Sequence, residues 1–236
     1  MTASPDPSPP DADQAPRIAP AVLALIVVTC LPELILLAAD YGIIGSARWR
    51  PLAYQYGAFW AGIWHGWTPN YAAQAWTMSL TYALLHGGPG HLAGNMATLL
   101  GLGRIVVDRA GQSRFLLLYL ISTLGGALAF GLMTISPSPM VGASGALFGL
   151  AGAWLYWEAY DRKQAGYGRW TLVLVVIAGL ALMNAVMWAT TGGLLAWQTH
   201  LGGFVAGWIC AAVMTARTPA KFTPAKFTPP KPEVPR

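Results

Sequence analysis

The stretch HGGPGHLAGNMATLLGLGRIVV, residues 86–107, reads as a transmembrane helix that opens on polar side chains. From Gly90 to Val107 it is apolar and long enough to approach the ~20 residues that ~30 Å of hydrocarbon demands. Yet His91 and Asn95 stand four residues apart, on one helical face, near its start. An imidazole and a carboxamide are costly in lipid, so each needs a partner or a task.

The rest of the chain sets the context. Of 236 residues, 55% are hydrophobic and 10% are charged. Mean hydropathy is +0.48. An average soluble domain carries about 25% charged residues, so this is the profile of a polytopic membrane protein. Six segments are candidate spans: Ala19–Ala39, Gly90–Val107, Phe115–Thr134, Ser144–Trp157, Trp170–Thr190 and Leu194–Thr215. The first is not a signal peptide: it follows an acidic, Pro-rich leader and lacks a basic n-region. The expected fold is an all-α bundle of six transmembrane helices with a large interfacial first loop.

Lys and Arg orient the bundle. With six spans, Arg17, the basic residues between spans two and three and between four and five, and those after span six fall on one side. Arg48 and Arg50 alone fall on the other. Both termini are therefore expected to be cytoplasmic. Residues 1–18 and the basic tail 217–236, with its repeated TPAKF, are Pro-rich and expected to be disordered, leaving 19–216 as the membrane domain. Cys30 and Cys210 both sit inside spans, which argues against a disulfide framework or a Cys-based metal site.

Residues 40–88 hold five tryptophans and five tyrosines, and Phe59, Trp60, Ile63, Trp64 and Trp67 follow helical spacing. Such aromatics prefer the headgroup region. His65 reads as an interfacial polar residue. Glu33, after Pro32 in span one, has no evident partner.

Two further polar residues share the depth of His91 and Asn95. Ser144 lies in VGASGALFG and His200 in QTHLGGFVAG, on spans four and six. At ~1.5 Å per residue, Asn95 is roughly 20 Å from Asp108, Ser144 roughly 21 Å from Glu158, and His200 roughly 26 Å from Arg217. Span four is short because the loop SPSPMVGA must dip into the membrane to reach Ser144. Such a loop needs cover from protein or access to water, and a cavity open to the outside would provide the latter. Gly145 and Gly149 form one GxxxG, Gly203 and Gly207 another, which suits close approach of spans four and six.

Neutral histidine can take a serine's proton near pH 7. Ser144 at a helix N-terminus would have free backbone N–H groups beside it. His91 and Asn95 are potential donors to a tetrahedral oxyanion. No acidic residue lies at this depth to orient His200, so a hydrolase here would use a Ser–His dyad. Singly, each residue has a plainer use: a serine bonding its own helix backbone, a histidine or asparagine bridging helices or binding a transported solute.

At these residues the chain resembles the rhomboid intramembrane serine proteases. HGGPGHLAGNM (86–96) is similar to the family's His-x4-His-x3-Asn element, GASG (142–145) to its GxSG, and HLGGFVAG (200–207) to its His-x2-Gly-x3-Gly. The three occur in family order on spans two, four and six. The resemblance implies Ser144 as nucleophile and His200 as general base. It implies His91 and Asn95 as oxyanion-hole side chains. His86, Gly142, Gly145 and Gly203 fall at structural positions of the motifs. It further implies hydrolysis of a peptide bond in or near a transmembrane segment, with no metal or organic cofactor and no nucleic acid. The partners would be membrane-protein substrates and the bilayer of a bacterial inner membrane. Two departures are visible: Trp76 is followed by Thr77 where many members have Trp–Arg, and Thr199 precedes the last histidine where many have Ala. Rival readings are a catalytically silent rhomboid-like protein that binds transmembrane segments, and a small transporter.

Overall fold

The computed structural model describes residues 18–166 and 170–217. The expected leader and tail therefore lie almost wholly outside the described residues. The described residues form an all-α membrane bundle. Its long helices are α1 (Pro20–Asp40), α5 (Pro89–Ala110), α6 (Gln112–Met133), α7 (Ser144–Gln164), α8 (Thr171–Thr190) and α9 (Trp197–Ala216). Between α1 and α5 run three short helices, α2 (Trp49–Gly57), α3 (Ala61–Trp64) and α4 (Gln74–Thr81), and a 3-10 turn, Tyr82–Leu84. Four helices, α1, α6, α8 and α9, are long and apolar enough to cross a membrane. The other two, α5 and α7, match them in length but carry the polar and charged residues noted above.

Lipid tails are as apolar as leucine, so helices in a bilayer associate by close packing rather than by hydrophobic gain. Small residues supply that packing here. A β-carbon on Gly203 would collide with the carbonyl oxygen of Gly145, and one on Gly207 with that of Gly149. The two GxxxG motifs thus face each other along the α7–α9 seam. On α6, a β-carbon at Gly125 would strike Ala206 of α9, and one at Gly149 of α7 would strike Ser122 of α6. α7 lies at the centre, with Gly145, Leu147, Gly149, Leu150, Ala153 and Trp157 all buried. Around it pack Leu99 and Val106 of α5, Phe115 and Leu118 of α6, and Ala211 of α9.

α8 differs. Val173 is its only buried residue, while Leu174, Val175 and Leu182 are each more than 60% exposed. A helix this apolar and this exposed suits contact with lipid.

Two features go beyond the expected spans. α7 begins at Ser144 and its helix outlasts the apolar stretch, running seven residues beyond Trp157, through Glu158, Asp161, Arg162 and Lys163, to Gln164. The charges end the apolar stretch but not the helix, because they pair: Arg109 of α5 grips Asp161 with two bonds of 2.7 and 2.9 Å, and Arg162 meets Glu158 at 2.7 Å. The aromatic spacing of 59–67 does not give an extended helix. α3 covers Ala61–Trp64, and Phe59 instead pairs its backbone with Met140, at 3.0 and 2.9 Å. Phe59 is fully buried, edge-on to Trp64, Tyr82 and Phe130.

Glu33 acquires its reason. It is fully buried, and Arg50 of α2 pairs with it at 2.9 Å while also holding Asp40 at 2.6 Å. The bond to Glu33 holds the Arg50 guanidinium pKa above its ordinary value, and Asp40 adds to the effect. Arg50 and the Tyr54 hydroxyl both donate to the carbonyl of His86, at 3.2 and 2.5 Å. The first loop is therefore bolted to α1 and to the residues just before α5.

Candidate active site

Ser144 is the first residue of α7, and the chain reaches it through a single strained position. Gly142 has φ +122°, a conformation side-chain-bearing residues rarely adopt. The approach is covered by protein. Met140 gives both backbone groups to Phe59, and Gly142 donates its N–H to the carbonyl of Tyr82 at 2.9 Å. The loop before the serine thus satisfies its backbone against the first loop, the protein cover that was one of the two expected alternatives.

His200 lies one turn into α9 and is 5% exposed. Its Nε2 is 2.8 Å from Ser144 Oγ, within hydrogen-bond distance. The facing glycines make this possible, since Gly203 follows His200 by one turn and lies against Gly145. Thr199, next to His200, donates its hydroxyl to the sulfur of Met140 and so ties α9 to the serine's own loop. The bulkier residue at this motif position thereby makes a bond of its own.

Two features absent from the sequence reading restrain the imidazole. Phe148, one turn after Ser144 on α7, stacks on it with ring centroids 4.2 Å apart and planes within 6°. Asn184 of α8 places Oδ1 2.5 Å from its Nδ1. The signal for Asn184 was present. It is thirteen residues from Thr171 at the start of α8, roughly 20 Å by helical rise, which is the depth of Ser144.

His91 and Asn95 come from α5. The Gly87 N–H reaches His91 Nδ1 at 3.3 Å, which makes Nδ1 an acceptor and leaves Nε2 to carry the proton. Asn95 is buried, and its Nδ2 has no hydrogen-bond partner. Both donors converge beside Gly142. A β-carbon there would sit 2.9 Å from His91 Nε2 and 3.5 Å from Asn95 Nδ2. Glycine leaves this space free, one residue from the backbone leading into Ser144. The set holds a hydroxyl against an imidazole and leaves two side-chain N–H donors facing a gap. Those are the parts needed for attack on a carbonyl and for holding the resulting oxyanion.

His86 stands apart from the gap. It is fully buried, its ring is edge-on to His91 with centroids 5.1 Å apart, and its carbonyl is the point where Arg50 and Tyr54 attach. Burial pushes its imidazole pKa down to about 4, with His91 adding to the effect, so it stays neutral beside its neighbour.

A family model described as the Rhomboid domain matches residues 72–217, more than half of the chain. The chain belongs to the rhomboid family. Among curated proteins it is 36% identical over 140 residues to "Rhomboid protease GluP" of Bacillus subtilis, covering 59% of this chain and 26% of that one. It is 36% identical over 138 residues to "RHOMBOID-like protein 4" of Arabidopsis thaliana, covering 56% and 32%. It is 32% identical over 182 residues to "RHOMBOID-like protein 2" of the same plant, covering 74% and 48%. The rhomboid chain here thus spans between about a quarter and a half of these relatives' lengths. The matched Rhomboid domain contains α4 to α9 and with them Ser144, His200, His91, Asn95 and Asn184; α1, α2 and α3 precede it.

Proposed function

We infer that this rhomboid-family membrane protein is an intramembrane serine endopeptidase. It cuts a peptide bond in or near the transmembrane segment of another membrane protein. The observation that carries the reading is the 2.8 Å Ser144–His200 contact, set beside two N–H donors aimed at one gap.

The steps follow from the geometry. His200 Nε2 takes the proton of Ser144 as Oγ attacks the scissile carbonyl. The carbonyl oxygen becomes an oxyanion and takes hydrogen bonds from His91 Nε2, Asn95 Nδ2 and the Ser144 backbone N–H. The imidazolium then gives its proton to the leaving amine, the C–N bond breaks, and an acyl-enzyme ester remains on Ser144. Water, deprotonated by His200, hydrolyses the ester and restores the serine. The Lys and Arg distribution supports an orientation with both termini in the cytoplasm. That puts the Ser144 end of α7 toward the outer face, in keeping with residence in a bacterial inner membrane.

The test is cleavage of a single-span reporter in liposomes, with small residues near its outer membrane boundary. Wild type should cut it and react with a fluorophosphonate. Ser144→Ala and His200→Ala should each lose cleavage by roughly 1,000-fold or more, as removal of a nucleophile or base does elsewhere. A wild-type protein inert in both assays would overturn the reading and favour a silent binder of membrane segments.

A further inference from the structure

His200 requires more than proximity to Ser144. A neutral imidazole carries its proton on either nitrogen, and only the form protonated at Nδ1 leaves Nε2 free to accept the serine's hydrogen. The stack on Phe148 fixes the plane of the ring but does not distinguish its two nitrogens. The nitrogen far from Ser144 faces Asn184, and the carboxamide's own bonding decides which way round it stands. Asn184 Nδ2 donates to the carbonyl of Leu180 at 2.9 Å. A carbonyl can only accept, so the amide nitrogen must point there and Oδ1 must point at His200. Turning the amide over would set two oxygens against each other at Leu180. With Oδ1 2.5 Å from Nδ1, that nitrogen must be the donor.

We propose that Asn184 is a positioning residue for His200: its carboxamide, oriented by the Leu180 carbonyl, selects the Nδ1–H form of the imidazole and thereby makes Nε2 the base for Ser144. This rests on the reading of Ser144 and His200 as a nucleophile and its base. It completes the chain Leu180–Asn184–His200–Ser144, with a neutral amide where soluble serine hydrolases use a carboxylate. The neutral group fits its surroundings. Asn184 lines an apolar cavity of about 420 Å³ together with Phe148, Leu180, Trp188, Trp197 and Phe204, where an unpaired carboxylate would be poorly solvated. The orienting group also comes from α8, the most lipid-exposed of the long helices. The base is thus held in register by an element separate from the α7–α9 seam that sets its distance to the serine.

The test uses the full chain labelled with ¹⁵N-histidine in lipid nanodiscs. The protein has four histidines, so each ring can be assigned by substitution. Wild type should show His200 as a single Nδ1–H form. Asn184→Leu should give a mixture with the Nε2–H form. On the reporter substrate its kcat should fall at least about tenfold, the scale of one orienting hydrogen bond, with KM within about twofold. Asn184→Gln retains a neutral acceptor oxygen and should recover part of both the single form and kcat. If Asn184→Leu keeps the Nδ1–H form, or keeps the wild-type kcat, the proposal is overturned while the protease reading stands. A wild-type protein that neither cleaves nor takes a fluorophosphonate removes the protease reading, and the positioning role of Asn184 with it.

Discussion

α9 and α8 both reach His200, and they do so in opposite ways. α9 carries the residue and is locked to α7 and α6 by glycines so close that a single methyl group would strike backbone. α8 touches the same imidazole through one carboxamide while most of its surface faces outward. The first kind of contact fixes a distance that cannot drift without unpacking the bundle. The second fixes an orientation and can be lost by a small displacement of one helix. A site built this way separates where its groups are from whether they are correctly turned.

Substitutions can break that contrast. The largest effect is expected from Gly203→Val, which drives a side chain into the Gly145 carbonyl. It should destabilise the bundle by ~3 kcal/mol and lower kcat/KM by roughly 100-fold or more through displacement of His200 from Ser144. Thermal denaturation in detergent and reporter kinetics would check both together. Asn95→Ala, on the rigid side of the site, should be separable. Its kcat should fall about 100-fold for one lost oxyanion donor, with KM and thermal stability almost unchanged. A rise in KM alone would remove Asn95 from the oxyanion site. The smallest effect is expected on the outward face of α8. Leu182→Ala, at a position 65% exposed, should change stability by less than ~0.5 kcal/mol and leave turnover intact. A marked loss would mean that this face packs against something other than lipid.

The parts of this molecule legible in the sequence are those that rest on periodicity and expense. Long apolar runs announced the helices, and each polar residue inside one demanded a reason. That logic found Ser144, His200, His91 and Asn95, and the facing glycines followed from their spacing. It passed over Asn184 because a carboxamide on a fifth apolar helix matched none of the motifs, although its depth equalled that of Ser144. Phe148 was invisible for another reason: an aromatic one turn beyond a serine is ordinary core until the partner ring is placed. The Phe59–Met140 pairing joins residues 81 positions apart and has no local signature. That the helix of α7 continues past its apolar stretch was not legible, because the pairing of Asp161 with Arg109 comes from a neighbouring helix.

The buried ion pair of Glu33 bears on how the protein is made. A carboxylate in an apolar helix is unfavourable by ~3 kcal/mol when inserted alone, and the cation that pairs with it, Arg50, arrives 17 residues later in the chain. Arg50 in turn anchors to the His86 carbonyl, which does not exist until the residues leading into α5 have been synthesised. The contacts that hold α1 through Glu33 are therefore complete only once the loop that follows it has folded back.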